Sequence, residues 1–166
     1  MVGEVVVVGH GPSLNCFKGA QIDAMTVVRV KHWPPPSHYY PEHMGTRCDY
    51  LVTKKPQPLE GVTNLLWEDG VGVGDWWAYW LSHEPRNKSR KPSHGLIAVF
   101  CAVHLLKPTS VNVIGFDRVF GNLETYKWWP KEGGANTLGC HDWAAERRAL
   151  DGIGIPIIDL SKVTDA

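Results

Sequence analysis

The sequence predicts an α/β fold in which a mostly parallel sheet is flanked by helices, and three observations carry that expectation. Short apolar or β-branched runs recur along the chain with helical patterns between them. The first run, Val5-Val6-Val7-Val8, is apolar at every position, as a strand buried on both faces requires. It breaks at once into Gly9-His10-Gly11-Pro12-Ser13-Leu14, a small-residue turn that puts bare backbone at the strand's end. Together these describe one Rossmann-like domain over residues 1–166, a length that can bury a real core.

Strands are expected at residues 4–8, 26–30, 50–53, 62–67, 110–114 and 156–159, each short, apolar or β-branched, and bounded by turn residues. Helices fall between them. The clearest covers residues 95–106, where Leu96, Val99, Val103 and Leu106 repeat at helical spacing and Pro108 follows the end. Others are expected over 142–150 and 75–83. Strands alternating with helices place ligands at the carboxyl ends of the strands, where Gly9, Lys31 and Gly115 stand. A helix starting near Ser13 would offer exposed N–H groups to a phosphate.

Lys plus Arg and Asp plus Glu each number 17, so no global charge draws the chain to nucleic acid or an acidic membrane. Met-Val-Gly-Glu leads straight into a strand, and no apolar run is long enough for a membrane span, so a soluble, cytoplasmic protein is expected. Four cysteines, Cys16, Cys48, Cys101 and Cys140, form no C-x-x-C pair and read as structural thiols. Of eight tryptophans, Trp33, Trp76, Trp77, Trp80, Trp128 and Trp129 sit in polar company, which suits a cleft wall or a homo-oligomer interface. Three segments resist regular structure. Residues 33–41 are proline-rich, a stiff connector or a wall of the site; residues 84–92 carry Arg86, Lys88, Arg90 and Lys91, a solvated loop or an attractor of an anionic acceptor; residues 116–140 are a lid candidate.

The turn Gly9-His10-Gly11-Pro12-Ser13-Leu14 is followed by Lys91-Pro92-Ser93-His94-Gly95-Leu96-Ile97-Ala98, then Val113-Ile114-Gly115-Phe116-Asp117, then His141-Asp142-Trp143-Ala144-Ala145-Glu146. In that order they resemble the nucleotide turn, the Ser/Thr-Gly helix start with its Gly-x-Asp, and the H-x-x-x-x-E segment of sialyltransferases. The chain is most similar to compact bacterial enzymes of that family with a GT-A-like variant fold. This resemblance implies a glycosyltransferase that moves a sialic acid-like sugar from a CMP- or other nucleotide-activated donor to an acceptor hydroxyl with inversion. No metal and no other cofactor is implied, and the chain contains no D-x-D.

The same resemblance implies residue roles. His141 is the general base, since a neutral imidazole accepts a proton near neutrality; the alternative is a helix N-cap or surface histidine. Asp142 or Glu146 would orient it, although Glu146, five positions on, only partly shares a helix face. Tyr126 would donate to the leaving phosphate, or else pack against Trp128 or Trp129. Gly9, His10, Gly11, Pro12, Ser13, Ser93, His94 and Gly95 would hold the nucleotide, with Ser93 able to cap a helix as well. Asp117 would face the pocket or cap a turn. His10 and Lys31 depart from the family, which carries asparagine at both positions. Lys31 brings a fixed charge near the phosphate, which suits leaving-group stabilisation or a more anionic donor such as a nucleoside diphosphate sugar.

The glycine turn and Gly-x-Asp are also similar to hydroxymethylpterin pyrophosphokinases. That reading needs magnesium, and Glu68, Asp69, Asp75 and Asp117 form no recognisable ligand pattern. A nucleotide-binding module without catalysis is a third reading. The acceptor class stays open among glycan, lipid-linked sugar, small metabolite and hydroxylated nucleobase, nucleic acid included.

Overall fold

A computed structural model describes residues 3–11, 13–14, 18–31, 33–34, 40–66, 76–88, 91–117, 119–120 and 141–163. Six strands, β1 (Val5–Val8), β2 (Thr26–Val30), β3 (Tyr50–Thr53), β4 (Thr63–Leu66), β5 (Val111–Ile114) and β6 (Ile157–Asp159), form one sheet in the order β4-β3-β2-β1-β5-β6. Every pairing is parallel. Each observed strand lies inside the expected one, although residue 67 is outside the described residues.

β1 is the hinge of the topology. Val8 pairs with Arg29 on one side and with Ile114 on the other, so β1, β2 and β5 finish side by side. From β1 the sheet grows one way through β2, β3 and β4 and the other way through β5 and β6, which makes the β1/β5 border a topological switch point. The four valines are at most 1% exposed and alternate between two cores. Val5 and Val7 join α4 (His94–Cys101), with Trp80 of α3 (Trp76–Ser82) and Ala145, Ala149 and Leu150 of α5 (Trp143–Asp151). Val6 and Val8 meet Leu14, Ile22 of α1 (Gly19–Asp23) and Met44 of α2 (Pro41–Met44). Each buried valine contributes roughly 1.5–3 kcal/mol, so this strand is a main source of the fold's stability.

α4 starts one residue before the expected position, because Ser93 caps it by accepting from the Leu96 amide at 3.3 Å. Its six residues from Leu96 to Cys101 are all buried, as befits a helix between the sheet and two others. The stretch Ala102–Leu106, expected as ordinary helix, widens to π geometry and stops at Lys107, whose φ is 50°. α5 is capped by Asp142, which accepts from the Ala145 amide at 3.1 Å. α1 and α2, of five and four residues, were not anticipated; neither has a side-chain cap to mark its start.

Cys48 and Cys101 are buried free thiols, and burial pushes both up to about 12, so they behave as small hydrophobes. Cys16 and Cys140 lie outside the described residues. Trp80 is buried, and Trp76 and Trp77 pack edge to face at 5.6 Å against the core. Trp33 lies under the buried Arg29 guanidinium, 4.0 Å from its ring centre. Trp128 and Trp129 lie outside the described residues. Among the described residues no helix is long and apolar enough to cross a membrane.

Candidate functional site

At the switch point the turns after β1 and β5 are bonded into one floor. Gly9 donates to the Ile114 carbonyl and Gly11 to the Gly115 carbonyl, both at 2.8 Å. Ser13 donates from its amide to Asp117 Oδ1 at 3.1 Å and from its hydroxyl to Oδ2 at 2.8 Å, while its Oγ accepts from the Gly115 amide at 3.0 Å. The glycines are there for this closure. A Cβ on Gly9 would come within 2.5 Å of the Gly115 carbonyl oxygen, and one on Gly11 within 2.0 Å of Asp117 Oδ2. The expected open phosphate cradle therefore needs revision: the amides of Gly9, Gly11 and Ser13 already donate within the fold. Contacts above this floor are left to the side chains around it.

Those side chains line an open cleft above the floor, with about 710 Å³ of empty space counted out to solvent. Gly9, His10 and Gly11 come from the β1 turn, Lys31 from the end of β2, and Ser93, His94 and Gly95 from the start of α4. Phe116 and Asp117 follow β5, and His141 and Trp143 come from the start of α5. Ser13 is not on the wall, because it is spent in the clamp with Asp117. Pro12 and Tyr126 lie outside the described residues, as do Glu68, Asp69 and Asp75. Among the described residues no three His, Cys, Asp or Glu side chains are grouped to hold a metal.

Lys31 occupies the left-handed region, with φ of 67°, a conformation costing roughly 1–2 kcal/mol for a residue with a Cβ. It is held there by its amide donating to the Val52 carbonyl at 2.8 Å and by Gln57 Nε2 donating to its carbonyl at 3.0 Å. Asparagine tolerates this geometry better than lysine. A charged residue kept against that preference at a cleft wall is a functional-site signal.

His141 precedes the α5 cap, and its side chain is 24% exposed. Its Nδ1 lies 3.7 Å from Glu146 Oε1, and its ring is 5.0 Å from that of Trp143. Glu146 is fully buried and receives the Ser93 amide at 2.7 Å on Oε1 and the Ser93 hydroxyl at 2.6 Å on Oε2. Burial raises the Glu146 carboxyl to about 7, against the Ser93 bonds, which lower it, and with the charge of Asp142, which raises it. Sequence spacing undervalued this residue, because helical periodicity does not apply to His141: the chain turns at Asp142 and brings the ring back toward the helix's first turn. Asp142 itself binds the amide of Arg86 at 2.8 Å. Burial pushes its carboxyl up, but the Arg86 and Ala145 bonds and the Arg86 charge outweigh this and hold it low.

No protein-family model matches the sequence, and no curated protein matches it. Solved structures do match the backbone. A mammalian sialyltransferase superposes with a TM-score of 0.61 at 19% identity, over 95% of this chain and 69% of its own. The fold is that of sialyltransferases. CstII, a sialyltransferase from Campylobacter jejuni solved with the substrate analogue cytidine-5'-monophosphate, gives a TM-score of 0.56 at 14% identity, over 96% of this chain and 80% of its own. Both superpositions thus take in nearly the whole chain.

Proposed function

We propose that the protein is a metal-independent glycosyltransferase that moves a sialic acid-like sugar from a CMP- or other nucleotide-activated donor to an acceptor hydroxyl with inversion. The observation that carries this reading is the cleft at the switch point, where His141, backed by the buried Glu146, shares one wall system with Lys31, His10 and His94. The sialyltransferase fold and the CMP held by CstII support a cytidine donor.

In the reaction, the acceptor O–H bond breaks and its proton passes to Nε2 of His141, the ring edge opposite the buried Nδ1. The acceptor oxygen bonds to the anomeric carbon from the side opposite the phosphate. The bond from that carbon to the phosphate oxygen breaks, and its electron pair leaves with the nucleotide. Lys31, with Tyr126, stabilises the departing charge, the work a metal performs elsewhere. Gly9, Gly11, Ser93 and Gly95 shape the nucleotide's seat, and the Ser13–Asp117 clamp keeps that seat closed beneath it. Glu146 acts as a positioning residue. At 3.7 Å it is beyond hydrogen-bond distance, but its ionised form favours the imidazolium by on the order of a few kcal/mol.

Thermal shift with a nucleotide panel tests the donor assignment. CMP is expected to raise the melting temperature more than ATP with magnesium. The reverse ranking would favour a phosphotransferase, and CDP or UDP ahead of CMP would assign the Lys31 charge to a diphosphate donor.

A further inference from the structure

Residues 83–88 and 91–93 form a strap along the first turns of α5, and residues 89 and 90 lie outside the described residues. Arg148 Nη2 donates to the His83 carbonyl at 2.9 Å at one end. Asp142 takes the Arg86 amide at 2.8 Å in the middle, and Glu146 takes the Ser93 amide at 2.7 Å at the other end. Pro85 and Pro92 are buried, and Glu84 adopts a left-handed φ of 52°. The N-cap and two side chains of one helix thus fix His83, Arg86 and Ser93. Between the anchors it exposes Arg86, Lys88 and Lys91. Arg86 donates through Nε to Asp142 at 3.2 Å, yet its side chain is 80% exposed, so its outer nitrogens face solvent beside the residue that follows His141. Asp142 is paired with Arg86, Glu146 is buried, and Glu84 is the one carboxylate of the strap.

We infer that this strap is an acceptor subsite for an oxyanion, so that the molecule whose hydroxyl reaches His141 also carries a phosphate or carboxylate held by Arg86 and Lys88, with Lys91 adding charge. A guanidinium fork recognises either group in the same way, and the bonds from Arg86 to Asp142 hold that fork beside the residue that follows His141. The inference rests on the glycosyl-transfer reading for its word "acceptor", but not for the anion site itself.

The test titrates a hexose, its 6-phosphate and the matching hexuronate into the protein by ligand-detected NMR, and assays transfer from CMP-sialic acid to the same three. Both anionic sugars are expected to bind about tenfold or more tightly than the hexose, and the preference is expected to fall to near unity in Arg86→Gln/Lys88→Gln. Lys88→Gln alone leaves the Arg86 anchor in place and is expected to lose part of the preference with an unchanged melting temperature. A preference confined to the phosphate or to the carboxylate identifies the source and supports the site. Equal binding of all three, or a preference the variants do not alter, overturns the inference. Transfer to neutral sugars without preference would leave the enzyme reading standing and remove the subsite. Variant-sensitive anion binding without transfer to any sugar would do the opposite.

Discussion

Glu146 grips Ser93 with both carboxyl oxygens, 2.7 Å to the amide and 2.6 Å to the hydroxyl, and does so from a fully buried position. One side chain of α5 therefore fixes the start of α4 while standing 3.7 Å from His141. Two walls of the cleft depend on a group whose charge changes near neutrality.

That coupling predicts a pH-dependent stability term. The folded carboxyl titrates at about 7 against 4.5 for the ordinary group, so the folded state holds its proton more tightly than the unfolded chain does. The contribution is complete below 4.5 and is lost as pH rises through about 7, with a ceiling on the order of 3 kcal/mol. Glu146→Gln keeps an acceptor for the Ser93 amide without the charge. Its melting temperature relative to the parent is expected to climb from pH 5 to pH 8. His83, held low chiefly by burial and also by Arg148, acts on both proteins and cancels in the difference.

Lys31→Gly separates backbone from charge. Relief of the left-handed strain is expected to leave stability unchanged or raise it by up to about 1 kcal/mol. Loss of a charge-assisted phosphate contact is expected to weaken nucleotide binding about tenfold, measured by titration calorimetry. Equal nucleotide affinity in the two proteins would remove Lys31 from the phosphate site.

The floor is expected to be intolerant of a single methyl group. Gly11→Ala forces a carbon against Asp117 Oδ2 and is expected to cost about 3 kcal/mol in chemical denaturation. Ser13→Ala removes the hydroxyl from both Asp117 and the Gly115 amide, with an expected loss of about 1–3 kcal/mol. Nucleotide binding should weaken in parallel, since the seat is built on this floor.

Much of the architecture was legible because burial is written in composition. Four valines in a row have few homes other than a doubly covered strand, and Leu96, Val99 and Val103 keep helical time. The short α1 and α2 were not legible, since Gly19–Asp23 and Pro41–Met44 are shorter than any period that could reveal them. The cleft's members were legible as residue types, and the structure brings His10, Lys31, Ser93, His94, Asp117 and His141 to one place. Their partners were not. The Ser13–Asp117 clamp joins residues 104 apart in the chain, and the left-handed φ of Lys31 is set by Val52 and Gln57, neither of which sequence spacing connects to it.

In the proposed reaction His141 takes the acceptor's proton in a cleft that holds a sugar nucleotide. The most direct test of that step is single-turnover transfer from CMP-sialic acid by His141→Ala, with CMP affinity measured on the same preparation. CMP is expected to bind as in the parent while transfer falls by about a hundredfold or more. Transfer at the parental rate, with CMP still bound, would contradict that role for His141.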